Sequence, residues 1–261
     1  MRTFVISDIH GGFLPFKEIL SAVNFDFDND ELICNGDVCD GWPEVKECFE
    51  LLSKIKNLIY IWGNHDVWAY NYYSTTRYHE DQDDAELSIW ELDYIEGQNA
   101  MDRWEFDSWY KQGGRGTINS FGKTKMSIEA SRILKQAKNY YIDNKNRLFV
   151  HGGFDLNISI DKQSRDLLTW DRDLPTIANH KMIMHEKHGH KNKISNYDEI
   201  FIGHTPTIIY HKSVPIHNCE LWMIDTGASY SGPVTIMNVD THEFWQSKPA
   251  CEYYPGIKAR G

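Results

Sequence analysis

Five short apolar runs, each followed at once by a turn carrying polar side chains, restrict the fold of this chain more than any other feature. The clearest is residues 32–34, Leu-Ile-Cys, which lead into Asn35-Gly36-Asp37. Such a run is typical of a buried parallel strand, and the glycine marks the turn at its end. The others are residues 2–7, 58–62, 148–150 and 200–202, followed by Asp8-Ile9-His10, Gly63-Asn64-His65, His151-Gly152 and Gly203-His204. Because ligands bind at the carboxyl edge of such sheets, we expect these side chains to form one site there.

The order of strand-like and helical patterns predicts an α/β fold. Up to about residue 66 apolar runs alternate with segments of helical periodicity, at 13–23 and 44–54, which favours parallel strands joined by right-handed crossovers. The length fits a single domain spanning residues 1–261. Between about residues 67 and 145 the alternation stops and aromatic and acidic residues predominate. We expect a mostly helical insertion there, with a long helix at 126–141, which either caps the site or packs beside it.

Composition excludes several classes of function. The mean hydropathy is −0.54 and no long uncharged apolar run occurs, so no membrane span is predicted. A formal charge of −11 disfavours nucleic acid as a partner. The five cysteines show no CxxC spacing, and Met-Arg leads directly into the first apolar run without a signal-peptide pattern. These features predict reduced thiols and a cytoplasmic location.

The polar residues at the strand ends are of the types that hold divalent cations. Asp8 and His10 are two positions apart, so in an extended segment they share a face and can hold one metal ion. Asp37 follows the neighbouring strand and can bridge to a second ion. Asn64, His151 and His204 come from three further strand ends and complete the predicted second site.

His65 and Asp40 form a predicted acid pair. His65 directly follows the ligand Asn64, so we expect it to lie beside the metal ions without facing them. That position suits a general acid that protonates a leaving alcohol. Asp40 is the carboxylate expected to orient His65 and keep it protonated.

The complete set of motifs resembles that of the calcineurin-like metallophosphoesterases, and within them the phosphoprotein-phosphatase branch, in particular bacterial and bacteriophage serine/threonine phosphatases. The motifs are Asp8-x-His10-Gly11, Gly36-Asp37-x-x-Asp40, Gly63-Asn64-His65-Asp66, His151-Gly152-Gly153 and Gly203-His204-Thr205. The resemblance implies a four-layer α/β/β/α fold and two metal ions, manganese most of all, with iron or zinc as alternatives. It also implies hydrolysis of a phosphate ester by a metal-activated hydroxide.

Two positions depart from the phosphatase pattern. That branch has phosphate-gripping arginines just after the position of Asp40 and just before Gly63, where this chain has Gly41 and Trp62. Each guanidinium fork would contribute about 1.5–3 kcal/mol to binding a phosphate group. Arg172 is retained, and Arg115 or Arg77 from the insertion could substitute. Arg172 and Arg115 are therefore the predicted substrate-binding residues.

Three functions remain open on this basis. The motifs favour a phosphomonoesterase of the serine/threonine protein phosphatase type, acting on a phosphorylated protein or a small phosphoester. The first alternative is a diadenosine-tetraphosphatase-like or other nucleotide phosphohydrolase, since that branch also lacks the second arginine and the aromatic insertion could stack on bases. The second is a catalytically weak metal-containing binding protein, against which the His65–Asp40 pair argues.

Overall fold

The first part of the chain alternates strands and helices as the apolar runs predict. The computed structural model describes residues 1–75, 101, 103–189 and 192–260. The opening elements, in chain order, are β1 (Thr3–Ile6), α1 (Phe13–Ala22), β2 (Glu31–Cys34), α2 (Val45–Leu52) and β3 (Asn57–Tyr60). The three strands are parallel, with Val5 opposite Ile33 and Ile33 opposite Ile59. Their carboxyl ends therefore lie at one edge of the sheet.

Helices occupy most of the described part of the predicted insertion. They are α3 (Asn64–Thr75), α4 (Arg103–Trp109), a π-helical turn (Tyr110–Gly114), α5 (Arg115–Phe121) and α6 (Ile128–Gln136). Residues 76–100 and 102, with Arg77 among them, lie outside the described residues.

The prediction of a helix at 126–141 is wrong at both ends, because α6 spans Ile128–Gln136. Ser127 caps the start of α6 by accepting a hydrogen bond from the backbone N–H of Ala130. After Gln136 the chain becomes extended, and Lys138 exchanges backbone hydrogen bonds of 2.9 Å with Tyr60 and Trp62. Pairing with the edge of the first sheet thus ends a helix that its apolar periodicity would have continued.

The second half of the chain builds a second sheet and then completes the first. Its elements are β4 (Tyr141–Ile142), β5 (Arg147–Phe149), α7 (Arg165–Trp170), α8 (Asp173–His188), β6 (Glu199–Ile202), β7 (Ile216–Asn218), β8 (Leu221–Met223), β9 (Pro233–Asn238) and β10 (Phe244–Pro249). The strand orders are β10-β9-β1-β2-β3 and β4-β5-β6-β8-β7. The last two strands are antiparallel: β9 pairs with β1 and β10 pairs with β9.

The two sheets pack face to face with helices outside, which confirms the predicted α/β fold with two sheets and flanking helices. Buried side chains from both sheets fill the space between them, including Val5, Ile33, Phe149, Phe201 and Met237. Phe149 and Phe201 stack with their ring centres 4.9 Å apart. Each such side chain contributes about 1.5–3 kcal/mol by burial, so the interface firmly fixes the sheets relative to each other.

In the part of the chain that the structure describes, no helix has both the length and the apolar character needed to cross a membrane.

Candidate metal centre

Six predicted ligands meet where the carboxyl edges of the two sheets adjoin. Each follows a strand by two to four residues, and each is at most 4% exposed to solvent. They are Asp8 and His10 after β1, Asp37 after β2, Asn64 after β3, His151 after β5 and His204 after β6.

The first group of ligand atoms consists of His10 and the carboxylates of Asp8 and Asp37. Nε2 of His10 lies 3.8 Å from Oδ1 of Asp8 and 3.7 Å from Oδ2 of Asp37. Its Nδ1 lies 3.1 Å from the carbonyl oxygen of Cys39. Because a carbonyl oxygen only accepts, this contact places the ring proton on Nδ1 and leaves the lone pair of Nε2 facing the carboxylates.

A second group surrounds His151. Its Nε2 lies 3.3 Å from Oδ2 of Asp37 and 3.1 Å from Oδ1 of Asn64, and its Nδ1 donates to the carbonyl oxygen of Asn35 at 2.6 Å. Ligand atoms of Asp37, His151 and His204 all lie within 4.8 Å of one another. Nε2 of His204 is buried and has no hydrogen-bond partner in the structure. A buried nitrogen of this kind needs a partner, and a metal ion would supply one.

The residues present fit two divalent cations. Asp37 belongs to both groups, as a bridging carboxylate must, and imidazole, carboxylate and carboxamide donors suit manganese, iron or zinc. The assignment rests on these donor atoms.

One placement differs from the sequence-based expectation. His65 was expected not to face the metal ions, but ligand atoms of His65, His10 and Asp37 lie within 4.8 Å of one another. The cause is the contact between Nδ1 of His65 and Asp40, which turns Nε2 of His65 towards His10. Their rings meet edge to face, with centres 4.9 Å apart.

The backbone of the site is strained. Asp8, His10, Asp37, Asp40 and His204 have positive φ angles between 48° and 70°, a region that residues other than glycine rarely adopt. The β2 loop is held in this form by Asp66, whose carboxylate accepts hydrogen bonds of 2.8–3.1 Å from the N–H groups of Asp37, Val38 and Cys39. Such strain persists only where the surroundings enforce it, and it is frequent at functional sites.

Gly63 shows how tightly the loops approach each other. A Cβ atom at this position would overlap the carboxylate and backbone nitrogen of Asp37. Glycine is therefore required for the β3 loop to lie against the shared carboxylate.

Electrostatic coupling accompanies the close packing of these groups. Burial opposes ionisation of Asp37, but the imidazoles of His151 and His65 hold the pKa of Asp37 well below its usual value. Burial likewise disfavours the charged form of His151, but the carboxylate of Asp37 outweighs it and raises the pKa of His151 to about 9. For His204, burial together with the charge of His151 lowers the pKa to about 3. A metal ion that binds here would displace the proton of such a buried imidazolium, because histidine binds metals in its neutral form.

His65 and Asp40 are in direct contact. Nδ1 of His65 lies 2.6 Å from Oδ2 of Asp40. The same carboxylate accepts hydrogen bonds from Nε1 of Trp109 at 2.8–2.9 Å and from the hydroxyl of Thr117 at 2.6 Å. Burial raises the pKa of Asp40 to about 7 against these hydrogen bonds, and burial lowers the pKa of His65. The carboxylate therefore orients His65 as expected, while burial works against the expected charge on its ring.

The predicted substrate-binding arginines occupy different surroundings. Nη1 of Arg172 donates to the carbonyl oxygen of His204 at 2.9 Å, which places its guanidinium beside the second ligand group. Arg115 is exposed at the start of α5, and among the described residues no hydrogen bond or ion pair joins it to the site. Trp62 is buried under the guanidinium of Arg165, which lies 4.7 Å from its ring.

Aromatic rings border the ligand groups on one side. Trp68 contacts His65 with ring centres 5.3 Å apart, and Trp170 contacts His204 at 5.8 Å. The two indoles meet each other at 4.8 Å, and Trp170 is 41% exposed. They form a continuous aromatic wall from His65 to His204 with one accessible face.

Sequence reasoning missed three residues that touch the site. Trp109 and Thr117 come from the helical insertion and contact Asp40, and Arg260 lies 3.2 Å from His10 and from His65. None follows an apolar run, so no local pattern marks them. Asp66 did carry a signal, since it belongs to the Gly-Asn-His-Asp motif.

Comparison with known proteins agrees with this geometry. The chain is 23% identical to symmetrical bis(5'-nucleosyl)-tetraphosphatase of Wigglesworthia glossinidia brevipalpis, over 95% of this chain and 99% of that protein. It is 24% identical to the enzyme of the same name from Pseudomonas fluorescens, over 93% of each chain. The crystal structure of a provisionally assigned diadenosine tetraphosphatase superposes with a TM-score of 0.60 at 14% identity, covering 94% of this chain and 92% of the other. That structure supports the fold alone.

The family assignment rests on a match to most of the chain. Residues 1–231, which carry all six candidate ligands, match the model of the calcineurin-like phosphoesterases. The resemblance expected from the motifs is thus confirmed, and with it a metal-dependent chemistry on phosphate esters. The chain belongs to the calcineurin-like phosphoesterase family and is a metal-dependent phosphoric ester hydrolase.

Proposed function

We propose that this chain hydrolyses dinucleoside polyphosphates of the diadenosine tetraphosphate type. The motifs alone favour a serine/threonine phosphatase, with this activity as an alternative. The two relatives are both named symmetrical bis(5'-nucleosyl)-tetraphosphatase, and each matches almost the full length of this chain. Their names support the alternative over the first reading.

The observation that carries the proposal is the aromatic wall of Trp68 and Trp170. Trp170 presents an indole that is 41% exposed and lies 5.8 Å from the candidate ligand His204. A nucleobase stacks on such a face, with a gain of about 1–3 kcal/mol per base. A substrate with a base at a fixed distance from its phosphates would use both the indole and the metal centre. A phosphoserine side chain would use the metal centre only.

The residues are proposed to act as follows. Asp8, His10, Asp37, Asn64, His151 and His204 hold two divalent ions, with manganese expected. When bound, the metal pair supplies Lewis acidity that polarises a phosphoryl oxygen and lowers the pKa of a water molecule. His65, oriented by Asp40, delivers a proton to the leaving oxygen. Arg172, which is anchored on the carbonyl oxygen of His204, holds a phosphate group of the substrate.

A substrate panel on manganese-reconstituted protein tests the proposal. The panel contains diadenosine tetraphosphate, p-nitrophenyl phosphate, its bis-ester, a phosphoserine/phosphothreonine peptide and a phosphotyrosine peptide. We expect the dinucleotide to give the highest kcat/KM. Trp170→Ala should raise the KM for the dinucleotide about tenfold and leave p-nitrophenyl phosphate unaffected. Trp104→Ala is the matched control, because Trp104 is a 78% exposed tryptophan on α4.

Other outcomes would return the function to one of the alternatives. A preference for the phosphoserine/phosphothreonine peptide would restore the protein phosphatase reading. Equal KM values for Trp170→Ala and Trp104→Ala would remove the stacking role of the wall. An undetectable rate on every substrate, with both metal ions bound, would leave a metal-containing binding protein.

A further inference from the structure

Arg260 brings a guanidinium into the centre of the site from the far end of the sequence. Its Nη2 lies 3.2 Å from Nε2 of His10 and 3.2 Å from Nε2 of His65. A guanidinium only donates hydrogen bonds, so these two ring nitrogens act as acceptors. The cation therefore lies next to one candidate ligand and the proposed acid.

The position of this guanidinium is set by Tyr230. Nη1 of Arg260 donates to the Tyr230 hydroxyl at 2.9 Å, and the guanidinium carbon lies 4.9 Å from the centre of the Tyr230 ring. A hydrogen bond and a cation–π contact to one side chain fix both the position and the plane of the group.

The segment that carries Arg260 is anchored on the loop after β2. Tyr254 stacks on Trp42 with ring centres 5.1 Å apart, and its hydroxyl accepts a hydrogen bond of 3.2 Å from the N–H of Leu14. Ala259, the neighbour of Arg260, is buried. The segment before Arg260 is thus held against Trp42 in the loop after β2 and against Leu14 at the start of α1.

Gly41 lies next to His10 and to Ala259 of this segment. A Cβ atom there would lie 2.9 Å from the carbonyl oxygen of His10 and 3.5 Å from Cβ of Ala259, and φ is +86°. A residue other than glycine would therefore be strained at position 41, because its Cβ would press on the backbone of His10. Position 41, which lacks an arginine, thus lies directly beside the segment that carries Arg260.

The hydrogen-bond donors of Arg260 are not fully used. Its Nε is buried and has no acceptor, and among the described residues no carboxylate forms an ion pair with this guanidinium. A guanidinium with a buried and unused donor gains most from an anion with several acceptor oxygens. Phosphate is such an anion, and a guanidinium fork binds it through two parallel hydrogen bonds.

We propose that Arg260 is a phosphate-binding residue of this site, and that it replaces the arginines absent from positions 41 and 62. The inference deepens the proposed function, because it assigns a contact to a phosphate group of the substrate. It assigns Tyr230 as the residue that positions Arg260.

Phosphate binding tests the role of Arg260 without relying on turnover. Inorganic phosphate and orthovanadate are titrated by calorimetry into manganese-loaded wild type, Arg260→Gln and Arg260→Lys, and manganese content is measured in each. We expect Arg260→Gln to weaken binding of both anions about tenfold to a hundredfold at unchanged manganese content, with partial recovery in Arg260→Lys. Arg132→Gln, which changes an exposed arginine on α6, is the matched control.

Tyr230→Phe separates positioning from binding. It keeps the ring under the guanidinium but removes the hydrogen bond to Nη1, so we expect a loss of anion affinity smaller than that of Arg260→Gln. Melting temperatures of all variants show whether any change reflects unfolding.

Two results would overturn the assignment. The first is anion affinity in Arg260→Gln equal to that of Arg132→Gln. The second is manganese binding that strengthens in Arg260→Gln at unchanged anion affinity, which would make Arg260 a competitor of the metal ions. Neither depends on which ester is cleaved: a phosphopeptide preference would refute the proposed function and leave the anion titration unaffected.

Discussion

Nδ1 of His65 lies 2.6 Å from Oδ2 of Asp40, inside a site where Trp109 and Thr117 hold the same carboxylate. The arrangement fixes the ring of His65 so that its Nε2 faces the candidate ligands. Once Nε2 is protonated, a ring held in this way can give the proton to a leaving group without a search for the right rotamer.

The first prediction concerns the leaving group. His65→Ala should reduce kcat about 10²–10⁴-fold for an alkyl ester such as a phosphoserine peptide, which leaves as a basic alkoxide. The loss should be much smaller for diadenosine tetraphosphate, because its leaving group is a nucleotide that departs through a phosphate oxygen. A phosphate group has a second pKa of about 6, so this leaving oxygen needs little protonation. Steady-state kinetics on both substrates measure the difference.

His180→Ala is the control for this comparison, since His180 is an exposed histidine on α8. Equal losses on the two substrates would show that His65 acts through something other than proton donation.

The second prediction concerns Thr117, which makes two buried hydrogen bonds. Its hydroxyl accepts from the backbone N–H of Asp40 at 2.7 Å and donates to the Asp40 carboxylate at 2.6 Å. Thr117→Val leaves both groups without this partner and should lower the free energy of unfolding by about 1–3 kcal/mol. Thr117→Ser keeps the hydroxyl and should cost less than half as much. Urea unfolding of the two variants provides the measurement; similar losses would point to the methyl group instead.

The third prediction concerns Asp37, whose Oδ2 lies 3.7 Å from His10 and 3.3 Å from His151. Asp37→Asn removes the charge of the residue that is common to both ligand groups. We expect manganese content, measured by elemental analysis after dialysis, to fall from two ions per chain to one or fewer, with activity lost in parallel. Asp198→Asn, an exposed carboxylate paired with Lys193, should retain both ions. Retention of two ions in Asp37→Asn would remove the bridging role.

The residues that sequence analysis identified share one property: they follow apolar strands directly. Asp8, Asp37 and His151 are placed by the ends of β1, β2 and β5, so the pattern of the strand also locates the side chain. The same runs predict the parallel strands, whereas the two-sheet architecture was implied by the family resemblance. Local sequence therefore carries much of the information about this part of the site.

The residues that sequence analysis missed reach the site through distant contacts. Trp109 and Thr117 are 69 and 77 positions from Asp40, and Arg260 is 250 positions from His10. Their roles depend on how helices and the segment after β10 pack, and no periodicity encodes that. The orientation of His65 was missed for a similar reason, since it depends on Asp40 and the neighbours of Asp40.

The fourth prediction concerns Arg172, whose Nη1 donates to the carbonyl oxygen of His204 at 2.9 Å. Arg172→Ala should raise KM about tenfold to a hundredfold with a smaller change in kcat, if the guanidinium holds the phosphate already in the ground state. Arg165→Ala is a nearby control, because Arg165 lies over Trp62 and donates to Asn139. An unchanged KM would move phosphate binding away from this side of the site.

The fifth prediction concerns stability away from the metal centre, at the start of β1. The carboxylate of Asp30 is buried and forms an ion pair with Arg2, with Nη2 and Oδ2 2.5 Å apart. Burial raises the pKa of Asp30, but the hydrogen bonds from Arg2 and from the N–H of Asp26 outweigh it and lower the pKa below its usual value. A lowered folded-state pKa means that the folded chain binds this proton less readily than the unfolded chain. The contribution of Asp30 is therefore complete above the unfolded pKa of about 3.9, and is lost as pH falls through the lower folded-state pKa.

For metal-free protein we accordingly expect Asp30→Asn to lower the free energy of unfolding by about 1.5–3 kcal/mol at pH 7. The difference from wild type should remain the same at pH 5 and shrink below pH 4. Asp28→Asn is the matched control, since Asp28 is exposed and pairs with the exposed Lys56 at 3.2 Å, so its removal should change little at any pH. A difference for Asp30→Asn that stayed constant down to pH 2.5 would show that the carboxylate stabilises the strand by its shape and hydrogen bonds and not by its charge.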